Sequence, residues 1–284
     1  MRRLLRKFAL IATITLIVII LVYSTSIFLV NLTTQAQQSS NCFMLDATGR
    51  NINLNSLCRD KNPQQLPNVE LTYTPKEKFL KAIADKLPTL PLPGSFEYLL
   101  LQEYGAVFVH QDPAIKLPTK VFFPTNQETK AFQSSLDMAF VNGTKCALQK
   151  PAADALSRVQ QQVSISFKSG NAGADCTRTF ATHARFWRKY ANSKTMARLR
   201  RGQYLPILSI VAPPGASQHL WSLAVDLRIT NDRQRQALYQ NGWFQTVEND
   251  PPHWTYLGLS EEDLLQLGFQ NKVVDGIKYL LTPL

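Results

Sequence analysis

The chain reads as an α+β protein, with a small, mainly antiparallel sheet flanked by helices and an N-terminal transmembrane helix before it. Three observations predict this. Helical and strand-like segments are mixed along residues 95–284 without a regular β-α-β alternation, which argues against a parallel sheet. Leu223, Val225, Leu227 and Ile229 alternate with Ala224, Asp226 and Arg228, the period of a strand. Residues 8–30 run without a charge, and about twenty apolar residues suffice to span a bilayer.

Arg2, Arg3, Arg6 and Lys7 precede that run, and the first forty residues hold no acid. The N-terminus is therefore expected in the cytoplasm and the rest of the chain outside. A cleaved signal peptide is the competing reading, with Thr34-Gln-Ala36 a poor version of its small-residue site. Either way the globular part is exported, and the reading favours an anchor. Residues 1–40 thus form a basic stub, anchor and polar linker. Residues 41–94 form an accessory region with a helix over 76–86, ended by Leu87-Pro-Thr-Leu-Pro-Leu-Pro-Gly94. The remaining residues, 95–284, suffice for one domain with a substantial core.

Within that domain a helix is expected over 151–162, with Pro151 in its first turn. Residues 163–167 alternate as a strand. Phe180, Ala184 and Trp187 share a helical face. Residues 205–211 are apolar and strand-like, up to the turn at Pro213-Pro-Gly215. The strand over 223–229 sends its aliphatic residues to one face and Asp226 to the other. Helices follow over 231–240 and 260–267, the second opened by Ser260-Glu-Glu-Asp, a capping signature. Residues 254–258 and 273–281 read as strands.

Cys42, Cys58, Cys146 and Cys176 make an even number in an exported chain, so disulfides are permitted. Of three pairings, proximity favours Cys42–Cys58 with Cys146–Cys176, the second pinning the loop that carries Arg178. Without its first forty residues the chain keeps 27 Lys and Arg against 20 Asp and Glu. That balance suits an anionic wall or membrane surface, and an exported protein does not meet nucleic acid. Much of the excess lies in Arg185, Arg188, Lys189, Lys194, Arg198, Arg200 and Arg201, which read mainly as a solvated face.

Two segments carry chemistry, Ser217-Gln-His219-Leu-Trp-Ser222-Leu-Ala224-Val-Asp226 and Asp250-Pro-Pro-His253-Trp254. Two imidazoles and a carboxylate can hold a tetrahedral zinc and leave its fourth position open, the pattern of a catalytic site. Asp250 adds a second carboxylate three residues before His253. Glu248 is a rival that a bend at Pro251-Pro252 could bring near. Asp226 could alternatively pair with Arg228. His183 is assigned to a helix surface, and His110 carries no signal.

These residues resemble the zinc D-alanyl-D-alanine carboxypeptidases of the vancomycin-resistance type, and are similar to the L-alanyl-D-glutamate endopeptidases of phages and bacilli. That fold, shared with the Hedgehog signalling domain, has a small antiparallel sheet flanked by helices. The resemblance covers residues 150–260 and includes Thr177-Arg178-Thr179-Phe180 and the lead-in Ile210-Val-Ala-Pro-Pro-Gly-Ala-Ser217. It implies His219, Asp226 and His253 as zinc ligands, with Asp250 as the general base that also protonates the leaving amine. It implies Arg178 opposite the scissile carbonyl or substrate carboxylate, and Ser217 as a substrate-side hydrogen-bonding group. A guanidinium keeps its charge and forks to an oxyanion, which supports that role on physical grounds.

Two departures from the family pattern stand out. Ser222 replaces a usual Gly, a small residue read as allowing close backbone approach, so strain or an altered pocket is expected. Asp250 is one methylene shorter than the Glu usual in the carboxypeptidase branch, whereas Asp is typical of the endopeptidases. The expected function is a zinc peptidase on peptidoglycan peptides, most simply removing a terminal D-alanine. Its catalytic domain would lie on the periplasmic or wall side, with the membrane reached through the N-terminal helix. Endopeptidase cleavage and a non-catalytic wall-binding role are the alternatives, and the oligomeric state stays open.

Overall fold

The computed structural model describes Phe43–Leu45, Asn51–Asn53 and residues 73–284. The expected anchor at 8–30 and the Cys42–Cys58 pairing lie outside the described residues. Among the described residues no helix is long and apolar enough to cross a membrane. The chain divides into a unit over Met1–Leu71 and one over Thr72–Leu284. In the first, β1 (Phe43–Leu45) pairs antiparallel with β2 (Asn51–Asn53).

The second unit begins with α1 (Pro75–Ile83), where Thr74 and Glu77 form a reciprocal capping box ahead of Pro75. Phe79, Ile83 and Leu87 are buried in the same core as Trp221 and Trp254. The core therefore extends across the Pro-rich stretch at 87–94, where composition alone suggests a break. After it come α2 (Phe96–Tyr104), capped by Ser95, and a 3-10 turn at Gly105–Val109. Next are α3 (Asn126–Gln133), the hairpin of β3 (Met138–Phe140) with β4 (Ala147–Gln149), and α4 (Lys150–Gln162). Pro151 occupies the first turn of α4 as expected, and Ala152, Leu156 and Val159 form its buried stripe.

The central sheet combines β5 (Ser166–Phe167), β6 (Ala224–Arg228), β7 (Trp243–Phe244) and β8 (His253–Tyr256) in the order β5-β6-β8-β7, every pairing antiparallel. Between β5 and β6 lie α5 (Ala172–Asp175), α6 (Phe180–Tyr190) and α7 (Ser193–Arg200). Then α8 (Asp232–Gln240) connects β6 to β7, and α9 (Glu261–Gln266) leads to a last hairpin, β9 (Gln270–Val274) and β10 (Ile277–Leu281). The fold is α+β with small antiparallel sheets flanked by helices, the class predicted from the sequence.

Two expected strands take another form. Residues 205–211 hold a 3-10 turn at Pro206–Ser209 instead. Pro206 cannot donate to a sheet, and the Leu208 carbonyl accepts from the Tyr104 hydroxyl at 2.5 Å. A short apolar run does not separate strand from other buried backbone. Residues 273–281 are not one strand but most of a hairpin, with Val274 opposite Ile277. Its two-residue turn is Asp275-Gly276, both at positive φ (49° and 75°), the geometry that an Asp-Gly hairpin turn requires.

Candidate metal centre and its cleft

His219 lies in a single helical turn that stops just before β6. Leu223 N–H donates to the Gln218 carbonyl and Ser222 N–H to the His219 carbonyl, while Ser222 adopts φ 60°. This is the Schellman ending, in which the residue after the cap takes the left-handed region that favours Gly. The requirement at position 222 is therefore a positive φ, rather than the close backbone approach expected from the family's Gly. Ser222 is fully buried, and its hydroxyl finds no partner.

From that turn the chain enters β6, where Asp226 sits directly opposite His253 of β8. Opposed residues of an antiparallel pair hold their side chains close together. The His219 and His253 rings are 4.9 Å apart, near-perpendicular. His219 Nε2 lies 3.2 Å and His253 Nδ1 3.6 Å from Asp226 Oδ1. One ligand atom from each of the three residues falls within 4.8 Å of the others, all buried.

The surroundings settle which nitrogen carries hydrogen on each ring. His219 Nδ1 faces the Cys176 carbonyl at 2.8 Å, which can only accept, so Nδ1 is the donor and Nε2 is bare. Gln218 donates through Nε2 to the Tyr104 carbonyl at 3.0 Å, which orients its amide and turns Oε1 to His253 Nε2 at 2.6 Å. Since Oε1 only accepts, His253 carries its hydrogen on Nε2 and leaves Nδ1 bare. Two bare nitrogens and a carboxylate oxygen thus converge with no donor between them, and His219 Nε2 is a buried atom without a hydrogen-bond partner. Lone pairs gathered in this way call for a cation. Burial, reinforced by Arg178, lowers His219 to about 4, so near neutrality its Nε2 carries no proton. The residues fit a metal ion, each imidazole held through its second nitrogen as metal-binding histidines commonly are.

Burial alone would raise Asp226, but His219, His253 and Arg178 outweigh it and hold the carboxyl well below its ordinary range. The second oxygen, Oδ2, accepts from Arg178 Nη2. Arg178 further donates from Nε to the Ala174 carbonyl at 3.0 Å. The guanidinium is thus engaged on the Asp226 carboxylate while still lining the cleft, which differs from a role directed to substrate alone. The alternative partner, Arg228, does not pair with Asp226, and its Nε donates to the Lys168 carbonyl at 2.7 Å. Arg178 sits two residues from Cys176, which is disulfide-bonded to Cys146 as proximity predicts.

The three converging residues open on a cleft of about 520 Å³. Asp250, Ser217, Phe186 and Ile210 also line it. Asp250 N–H donates to the Val247 carbonyl, and the Asp250 carbonyl accepts from His253 N–H at 3.0 Å, so the Pro251-Pro252 turn holds base candidate and ligand candidate together. Burial raises the Asp250 carboxyl above its ordinary value; His253 opposes this and the charge on Asp226 adds to it. Ser217 Oγ accepts from His219 N–H at 3.2 Å. Glu248 is not brought into the cleft, because its carboxylate pairs with Lys272 of β9 at 2.7 Å.

His183 was expected on a helix surface, yet it is only 2% exposed and lines the cleft, with Nδ1 unpartnered. Burial, then Arg178, lowers its pKa well below the usual value. Gln218 escaped the sequence reading altogether. A glutamine beside a histidine carries no signal until β8 places His253 against it.

No family model and no curated protein matches the chain. Among solved structures, the chain is similar to a vancomycin-resistance D,D-dipeptidase, VanXYg, crystallised with a D-Ala-D-Ala phosphinate analogue. The two are 13% identical and superpose with a TM-score of 0.33 over 50% of this chain and 72% of that one. A likeness of that size carries no argument about this chain, and the chemistry rests on the residues described above.

Proposed function

We propose that this chain is a zinc-dependent metallopeptidase that removes a terminal D-alanine from peptidoglycan stem peptides. The observation that carries the chemistry is the convergence of bare His219 Nε2, His253 Nδ1 and Asp226 Oδ1 in a cleft shared with Asp250. The choice of stem peptides rests on the motif resemblance. Two imidazoles and one carboxylate suit zinc, and three protein ligands leave one position open. Zinc held there supplies Lewis acidity for the scissile carbonyl and makes water more acidic.

The chain's own residues do the rest. Asp250 takes the proton of the attacking water and passes it to the leaving amine, and its raised pKa suits a carboxyl that must hold that proton between steps. Arg178 uses two of five donors on Asp226 and Ala174, so others remain for an oxyanion or substrate carboxylate. The Ser217 hydroxyl donates to substrate while its oxygen holds the His219 turn. Phe186 and Ile210 give the cleft apolar walls against which a substrate side chain packs. The charge-free run at 8–30 anchors the chain, with this unit outside the cytoplasm. Because Asp is the base found in the endopeptidase branch, cleavage inside the stem peptide is the second reading.

Metal analysis, with mass spectrometry of muropeptides incubated with and without chelator, tests the proposal. Chelator-sensitive loss of one D-alanine supports it, and internal stem fragments move it to the endopeptidase reading. A folded, zinc-loaded chain giving no product overturns catalysis in favour of wall binding. His219→Ala should lose the metal. Asp250→Ala should keep the metal and lose about 10²- to 10⁴-fold in turnover, the range for a general acid–base group.

A further inference from the structure

Arg228 stands two residues beyond Asp226 on β6, so both side chains leave the same face of the strand. Two residues advance a strand by about 6.7 Å, which puts Arg228 one step along the cleft from the candidate metal ligands. Its Nε donates to the Lys168 carbonyl at 2.7 Å, which orients the guanidinium and leaves its terminal N–H groups free of that contact. Lys168 is tied to the same place, because its own N–H donates to the Asp226 carbonyl at 3.0 Å. Both residues line the cleft.

The charges in the cleft balance in number but not in pairing. Of its three carboxylates, Asp226 is taken by Arg178, and Asp175 accepts from both the N–H and the hydroxyl of Ser169 at 2.8 Å. The third, Asp250, is the proton carrier. Of its three cationic side chains, Arg178 is paired, whereas among the described residues Lys168 and Arg228 form no ion pair. An oriented guanidinium and an adjacent ammonium, each without an acid, form a receptor for a planar anion.

We infer that Lys168 and Arg228 form a carboxylate-binding subsite at the cleft mouth, which selects peptides bearing a free acidic group on the second residue before the cleaved bond. This rests on the peptidase reading of the same cleft and adds to it the chemistry of the substrate. An advance of about 6.7 Å, two residues of an extended peptide, separates the two tasks. The reacting carbonyl meets His219, Asp226 and His253, and the carboxylate of the second residue before the bond meets Lys168 and Arg228.

The test uses the zinc-loaded full-length chain and two peptides ending in D-alanine. They differ only in whether the second residue before the cleaved bond carries a free carboxylate or its primary amide. The carboxylate peptide should be favoured on the order of tenfold in kcat/KM, through KM, and the preference should shrink as salt screens the partly exposed pair. The double variant Lys168→Ala/Arg228→Ala should raise KM for the carboxylate peptide to that of the amide, and Lys168→Glu/Arg228→Glu should reverse the preference. Equal treatment by the parent chain, or a preference that survives the double variant, overturns the subsite. If the zinc-loaded chain hydrolyses neither peptide, the peptidase reading fails separately, and calorimetric binding of the same pair decides. Carboxylate-selective binding lost in the double variant upholds the subsite, whereas equal or absent binding overturns it.

Discussion

Gln218 does the most positioning with the least notice. Its amide spans the Tyr104 carbonyl and His253 Nε2 and is fully buried, so the tautomer of His253 depends on it. Gln218→Leu keeps the shape but leaves the His253 N–H without an acceptor. Metal affinity should then fall about ten- to a hundredfold, the usual cost of removing such a support, as read by competition with a chromogenic chelator. Ser222 acts on backbone conformation instead. A non-Gly residue at φ 60° carries a cost of about 1–2 kcal/mol, and here the hydroxyl is buried unpaired as well. Ser222→Gly removes both, offset by the greater freedom of Gly in the unfolded chain. We expect a net gain of about 1 kcal/mol, with the denaturant midpoint raised and the m-value unchanged.

At the scale of elements, the centre exists because three segments are held in fixed relation. The β6–β8 register sets Asp226 against His253. The Schellman turn delivers His219 to the start of β6. The loop between α5 and α6 supplies the Cys176 carbonyl and Arg178, and the Cys146–Cys176 bond ties it to the chain just before β4. That bond closes a loop of 30 residues, for which chain entropy predicts about 3–4 kcal/mol. Cys146→Ala/Cys176→Ala should therefore unfold at lower denaturant. It should also bind metal more weakly, because the carbonyl that orients His219 is then less firmly held; chelator competition on the folded variant separates the two effects.

For the whole molecule, buried charge sets the response to pH. Glu103 of α2 is 8% exposed, and among the described residues its carboxylate has only the Tyr204 and Ser209 hydroxyls at 3.4 Å as partners. Burial raises its carboxyl to about 7. In the unfolded chain the group ionises near its ordinary value of 4.5. Between these values the folded state holds a proton that the unfolded state has released. Its contribution is therefore complete below about 4.5 and is lost as pH rises through about 7, amounting to at most about 3 kcal/mol. Glu103→Gln should flatten this decline, seen as a smaller drop in Tm between pH 5 and pH 8 than in the parent chain. An unchanged slope would show that Glu103 is ionised in the fold.

Much of this was legible from one sequence because the signals are local. A strand's period of two placed Asp226 on a face apart from the aliphatic residues, the capping signature at Ser260 marked the start of α9, and Cys146 and Cys176 paired as their spacing suggested. The residue set His219, Asp226, His253 and Asp250 could be written down before any fold, although the partners of Asp226 could not. What the tertiary structure decided is which groups meet. Arg178 rather than Arg228 takes Asp226, Glu248 turns to Lys272, His183 faces the cleft rather than solvent, and Gln218 supports His253. Each of these outcomes depends on strand register or on contacts between residues far apart in sequence. A residue's type dictates its periodicity and its chemistry, but its neighbours are settled only when the whole chain buries its apolar surface and must then pair every polar group carried in with it.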